Sequence, residues 1–406
     1  MNKNIFSKEF LYAVQEAGGV LQVECNNMTA WVLLANGDLY GCGYNAYGQQ
    51  GSGDTTDVTT FTKRASNVSQ FACSNNTTWY IDNNGDLYGC GRGNVGQQGS
   101  LYSNSDVTTF TKRASNVAKV ACSTDTTWYI NNSNQLYGCG NGQYGQQGNG
   151  STSIENSFTY RASSAEQVAC SDHTTWYIDS TGLYGCGRGD RGQQGNGSTS
   201  DVTSFTRRSY FTAKVVCSRY ATWYINSSGT LYGTGWGSGG QQGSGGTSNV
   251  TTFTSRASNV SKVSCGPYVT WYIDTSGDLY GCGRNDNYAQ GISDTSNVTT
   301  FTKRASGVLD VVGSNYKTTW YITTSGDLYG CGKSSSGQQG SGTTFDVTTF
   351  TKRASNVIIV SDDEEITYYI DKRNQLYGCG TGYYGNQGNG STSDVLTFEN
   401  KMQYLT

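Results

Sequence analysis

The sequence predicts an all-β fold, a β-propeller of eight four-stranded blades, and three observations carry that prediction. The string Leu-Tyr-Gly-x-Gly starts at Leu39, Leu87, Leu136, Leu183, Leu231, Leu279, Leu328 and Leu376, at spacings that never leave 47–49 residues. Each unit holds four short segments of strand character, and none shows helical periodicity. Four strands in a repeat of about 40 to 50 residues is the pattern of blades stacked radially, which leaves only short protected edges. The units fill residues 18–406 as one propeller domain, with no room for a second. A ring of seven blades with one unit outside it is the alternative, but no copy has lost its strand pattern, so eight are expected.

The second copy shows the elements in order. Val68–Cys73 is the innermost strand, Thr77–Asp82 the second, 86–90 the third and 108–113 the outer one. Asn83-Asn84-Gly85 joins the second to the third as a tight hairpin, because Asn and Gly tolerate positive φ. Ser227-Ser228-Gly229 and Thr275-Ser276-Gly277 repeat that turn. Residues 1–17 stand outside the repeat. Phe6, Phe10 and Val14 fall at i, i+4 and i+8, which suits a short amphipathic helix that plugs the channel or docks on a partner.

Composition excludes several classes. Gly and Pro together are 55 + 1 of 406 residues, well under the roughly 25 to 30% of low-complexity disorder. No apolar run approaches the roughly 18 residues of a membrane helix, and the first 19 residues hold no export signal, so a soluble chain is expected. Lys and Arg number 27 against 30 Asp and Glu, a net charge of −3 that makes no electrostatic claim on nucleic acid.

Residues 117–123, then Thr126-Thr127-Trp128-Tyr129-Ile130, Leu136-Tyr137-Gly138-Cys139-Gly140 and Gly145-Gln146-Gln147-Gly148, resemble the repeat of the regulator of chromosome condensation family, over roughly 18–406. The Gly-Gln-Gln-Gly tetrad recurs at Gly48, Gly96, Gly192, Gly240 and Gly337, becomes Gly385-Asn386-Gln387-Gly388, and decays to Tyr288-Ala289-Gln290-Gly291. The resemblance implies a propeller, usually of seven blades. It also implies precedents in nucleotide exchange on a small GTPase, chromatin association and inhibition of an enzyme by loop aromatics.

Several motifs imitate chemistry that their context denies. Thirteen cysteines form two rows: Cys25, Cys73, Cys122, Cys170, Cys217 and Cys265 end innermost strands, and Cys42, Cys90, Cys139, Cys186, Cys282, Cys331 and Cys379 lie in third strands. Three units keep one and lose its mate, and obligate pairing would lose both. With His173 the single histidine, no zinc set exists, so reduced, buried thiols are expected, in a cytoplasmic or virion setting. Gly-x-Gly-x-x-Gly, as in Gly91-Arg92-Gly93-Asn94-Val95-Gly96, lacks the following helix that a dinucleotide needs. Asp362, Asp363, Glu364 and Glu365 are expected in a solvated loop. Trp31, Trp79, Trp128, Trp176, Trp223, Trp271 and Trp320, with Tyr368, read as contacts between blades. Arg64, Arg113, Arg161, Arg208, Arg256, Arg304 and Arg353, with Lys401, read as outer-strand charges that guard against edge pairing, with a polyanion belt as the sharper alternative.

Comparing the copies locates the function. Scaffold positions repeat, whereas the connections from first to second and third to outer strand differ in every unit, and up-and-down topology puts both on one face. That face gathers Tyr44, Tyr47, Arg92, Tyr144, Arg188, Arg191, Arg219, Tyr220, Trp236, Tyr268, Arg284, Tyr316, Lys317, Tyr383 and Tyr384. Tyr, Trp and Arg are enriched at interaction hot spots. The expectation is a non-enzymatic binding propeller for a protein partner, with no cofactor, metal, nucleic acid or membrane span. A structural or adhesive protein that recognises a glycan is the alternative, and nucleotide exchange by family analogy is the third reading.

Overall fold

A computed structural model describes residues 19–26, 28–101, 105–313 and 317–405. The extension with Phe6, Phe10 and Val14 lies outside the described residues. Eight four-stranded antiparallel sheets follow one another, each with its strands side by side in chain order, so the ring has eight blades. Blade one comprises Val20–Asn26, Thr29–Leu34, Leu39–Gly43 and Val58–Ala65, and blade eight comprises Val357–Asp363, Ile366–Asp371, Leu376–Gly380 and Val395–Asn400. In blade two the strands are Val68–Cys73, Thr77–Asp82, Leu87–Gly91 and Val107–Ala114, within one residue of expectation.

The tryptophan row joins each blade to the next. Trp79 is fully buried among Val117, Val120 and Tyr129 of blade three, with its ring edge-on to Phe158 at 5.8 Å. Trp31 meets Phe110 and Trp320 meets Phe398 the same way, and Tyr368 of blade eight meets Phe61 of blade one at 6.2 Å. Such a pair adds about 0.5 to 1.5 kcal/mol beyond the area it buries. The third-strand glycine makes room: a Cβ on Gly89 would lie 2.4 Å from the Trp79 ring.

Ring closure uses this same contact and shares no strand. The Cys25 amide donates to Ser361 Oγ at 3.1 Å, the Val20 amide to the Asn374 carbonyl at 3.2 Å, and a bridge pairs Thr60 with Asn389.

The tetrad's two glutamines work in opposite directions. Gln98 Nε2 donates to the Cys90 carbonyl at 2.8 Å and fixes the loop to its own blade. The first glutamine reaches forward, as Gln338 Nε2 donates to the Glu364 carbonyl of the next blade at 2.9 Å. Its Oε1 accepts from the amide two residues earlier, as in Tyr47 to Gln49 at 3.0 Å.

The cysteine rows are placed by register. Cys73 and Cys90 both pair with Thr78, one on each side, and so lie two strand spacings apart. That is about 10 Å, beyond the roughly 7 Å a disulfide spans. Third-strand thiols face the preceding blade, as Cys90 Sγ donates to the Gln49 carbonyl at 3.3 Å. Among the described residues no helix is long and apolar enough to cross a membrane.

The outer-strand arginines do not guard the edge. Arg64, Arg113, Arg208, Arg256, Arg304 and Arg353 are about half-buried beside the third-strand thiols, and burial lowers their pKa. Arg161 Nε donates to the Gln147 carbonyl at 2.7 Å, and Lys401 is wholly buried against Glu399 at 3.0 Å. The exposed charge stands one residue earlier, where Lys63, Lys112, Lys303 and Lys352 pair with Asp38, Asp86, Asp278 and Asp327 at 2.6–2.8 Å. Neighbouring strand residues point to opposite sides of the sheet, so guarding falls to the lysines, and no arginine belt is presented.

Candidate functional site

The two diversified connections of each unit emerge together, and the residues at their ends meet across the seams between blades. At four seams the residue before the tetrad faces the residue after Leu-Tyr-Gly-x-Gly in the next blade. Arg92 lies over the Tyr47 ring at 4.9 Å, Arg188 over Tyr144 at 4.8 Å and Arg191 over Trp236 at 5.7 Å. At the closing seam Tyr384 meets Tyr44 at 4.8 Å. Interactions of this kind add about 0.5 to 1 kcal/mol at exposed sites, so the loops are held in place before anything binds.

Three arcs result. Tyr383, Tyr384, Tyr44, Tyr47 and Arg92 run over blades eight, one and two. Tyr144, His173 and Arg188 join blades three and four: His173 stacks edge-on to Tyr144 at 4.8 Å, and its Nδ1 lies 3.4 Å from Arg188. Trp236 forms the centre of the third arc, against Tyr220 at 5.0 Å and Tyr268 at 5.3 Å, and those two tyrosines meet at 6.2 Å. Arg219 lies over Tyr220 at 5.3 Å and Arg284 over Tyr268 at 5.2 Å. Asp190 links the second arc to the third, 2.7 Å from Arg188 and 3.7 Å from Arg191.

The arginines of the face stand on blades two to six, and on blades seven and eight Lys317 is held by Glu364 at 2.5 Å and Glu365 at 3.5 Å. Tyr316 lies outside the described residues. The acidic run is not a solvated loop throughout. Asp362 belongs to the innermost strand of blade eight and accepts from Thr367 at 2.9 Å and from the Trp320 indole at 3.2 Å. These two bonds turn that carboxylate inward, away from solvent.

The third arc borders the mouth of the central channel. A cavity of about 620 Å³ opens there, with Arg219, Tyr220 and Tyr268 in its wall, and continues into one of about 650 Å³ lined by Cys73, Cys122, Cys170 and Cys217. Burial raises the pKa of every one of the thirteen thiols, to about 12 for Cys217 and Cys265, so none is poised as a thiolate. His173 has its pKa lowered, first by burial. The Gly-x-Gly-x-x-Gly loops meet no helix N-terminus, because the one helix among the described residues is the short turn Met402–Tyr404. No group of three metal-ligating side chains occurs among them either.

Sequence reasoning placed His173, Asp190 and Asp286 in the connections of this face but did not single them out as contact residues. Asp286 holds Arg284 at 3.1 Å. All three sit at connection positions that differ between copies, which was the available signal.

Scans against protein-family models and against curated proteins return no match. Solved structures do match. Yeast RCC1 (Prp20), in its complex with Kap60, aligns with a TM-score of 0.63 at 16% identity, over 90% of this chain and 92% of that one. Prp20p from Saccharomyces cerevisiae, described with its binding to Gsp1p and histones, aligns at 0.61 and 16% over 86% and 92%. Human WBSCR16 aligns at 0.61 and 14% over 89% and 93%. The chain folds as an RCC1-like β-propeller. At such identities the likeness of this RCC1-like propeller to them extends to the fold alone.

Proposed function

We propose that this RCC1-like propeller is a binding scaffold without catalysis, which captures a protein partner on its loop face. The observation that carries the reading is the cluster of Trp236, Tyr220 and Tyr268 at the channel mouth, ringed by Arg191, Arg219 and Arg284. These are the residue types that dominate hot spots, and their mutual contacts reduce the ordering cost of binding. The similar yeast protein is described as binding Gsp1p and histones, which supports a protein rather than a small-molecule partner. A nucleotide-exchange role is less well supported, because repeat spacing of 47–49 residues leaves no unit an extended wedge-like loop.

The test is affinity capture from the native host with the wild-type chain and with Trp236→Ala, Tyr220→Ala and Tyr268→Ala combined, beside a glycan array. The combined variant is expected to lose at least about 2 kcal/mol of partner binding, roughly thirtyfold, with its unfolding temperature nearly unchanged. Undiminished capture would sink the reading. Selective glycan binding lost in the same variant would replace it with the adhesive one.

A further inference from the structure

Residues 163–166 make a longer connection between blades three and four on the opposite face, but five of the seven connections from an outer strand to the next innermost strand are nearly invariant. They read Ser66-Asn67, Ser115-Asn116, Ser258-Asn259, Ser306-Gly307 and Ser355-Asn356. The second residue of each has positive φ, at 62, 63, 56, 66 and 61°. Asn and Gly enter that region at little cost. Between blades four and five the same connection is Tyr210-Phe211. Phe211 holds φ at 54° and is 78% exposed, while Tyr210 is 58% exposed. A bulky ring at positive φ is strained, and burial does not offset that strain when the ring stands in solvent.

A second departure lies beside it. Arg207 occupies the outer-strand position at which four other units carry the lysines paired with aspartate. In blade four the residue before Leu183 is Gly182, so the aspartate is missing, and Arg207 forms no salt bridge among the described residues. Its guanidinium instead lies 4.0 Å from the centre of the Tyr210 ring and donates to the Tyr210 hydroxyl. One unit of eight thus combines a strained exposed ring, a second exposed ring and a cation without a carboxylate.

We propose that Arg207, Tyr210 and Phe211 form a second interaction surface, which binds an acidic segment of a partner protein, one carboxylate on Arg207 and an apolar side chain on Phe211. Tyr210 holds the guanidinium ready, so a carboxylate meets it in a fixed orientation. A single cation over the Tyr210 ring, with the Phe211 ring 6.4 Å from that ring, reads one carboxylate beside apolar groups. A polyanion would require a row of cations.

The test uses a fluorescein-labelled peptide of repeated Glu-Leu-Glu-Phe, its counterpart with Gln for Glu, and fluorescence polarisation. Saturable binding of the acidic peptide is expected, with the Gln peptide at least about tenfold weaker, a difference of about 1.4 kcal/mol. Phe211→Asn, which installs the residue most other copies carry, and Arg207→Gln should each weaken binding at least tenfold, and Trp236→Ala should leave it unchanged. Phe211→Asn should also raise the unfolding temperature, since it removes strain without removing buried surface. The proposal is overturned by absent binding, by equal binding of the Gln peptide, or by a lower unfolding temperature in Phe211→Asn. Displacement by heparin at least as strong as by unlabelled peptide would point to a polyanion instead, and a wild-type dimer that Phe211→Asn makes monomeric would point to a second copy.

Discussion

Trp128 and Trp236 are the same residue in two situations. Trp128 is fully buried at a seam, where it meets Phe205 at 5.9 Å, so Trp128→Ala is expected to cost about 3 to 5 kcal/mol in denaturant unfolding. Trp236 lies in a connection, with Tyr220, Tyr268 and Arg191 around its ring, and its loss should cost about 1 kcal/mol or less. His173 adds a pH dependence. Its pKa is lowered in the fold, mainly by burial, so below about pH 6.5 the unfolded chain takes up a proton that the folded one does not. Its contribution to stability is therefore complete above pH 6.5 and falls as pH drops from there towards the folded pKa. Thermal unfolding between pH 5 and 7.5 should show a slope that His173→Asn flattens.

At the scale of the connection, two glycines separate geometry from composition. Gly96 opens its tetrad at φ 78°, and a Cβ there would lie 2.7 Å from the Glu155 carbonyl of the next blade. Gly246 has nothing within 4 Å. Gly96→Ala is expected to destabilise by more than about 1 kcal/mol, and Gly246→Ala to stay within about 0.5, both read in urea unfolding. The tetrads and the strands were legible in sequence because they repeat. Val68–Cys73 and Thr77–Asp82 came out at their observed bounds. Which side of a strand faces inward was not legible where neighbours are alike. Lys63 and Arg64 are both cationic, and only the sheet shows that Lys63 meets solvent and Arg64 tucks against Cys90. The membership of the loop face followed from connectivity alone. Its pairing of Tyr47 with Arg92 did not, because it depends on how far a blade's loop leans over the next. The exception at Phe211 was visible as letters, but its positive φ was not.

Across the whole molecule the thiols make the clearest test. Unfolding in guanidinium without reductant should expose close to thirteen reactive thiols, whereas the native ring should react slowly, since burial keeps them protonated. A count near one would overturn the arrangement of both rows. The two faces of the ring also differ in their connections. Those that vary between units look one way, towards the channel mouth, whereas five of the seven joins between blades on the other face read Ser-Asn or Ser-Gly, and only residues 163–166 and Tyr210-Phe211 depart.

The closing seam has a consequence for descent. Blades one and eight are each drawn from one continuous stretch of chain, and their join repeats the contacts of every other join. A duplication or deletion of one unit's worth of coding sequence therefore never leaves half a blade behind. Copy number in such a gene is free to change by ones, with each new ring tested only by whether its last seam still meets.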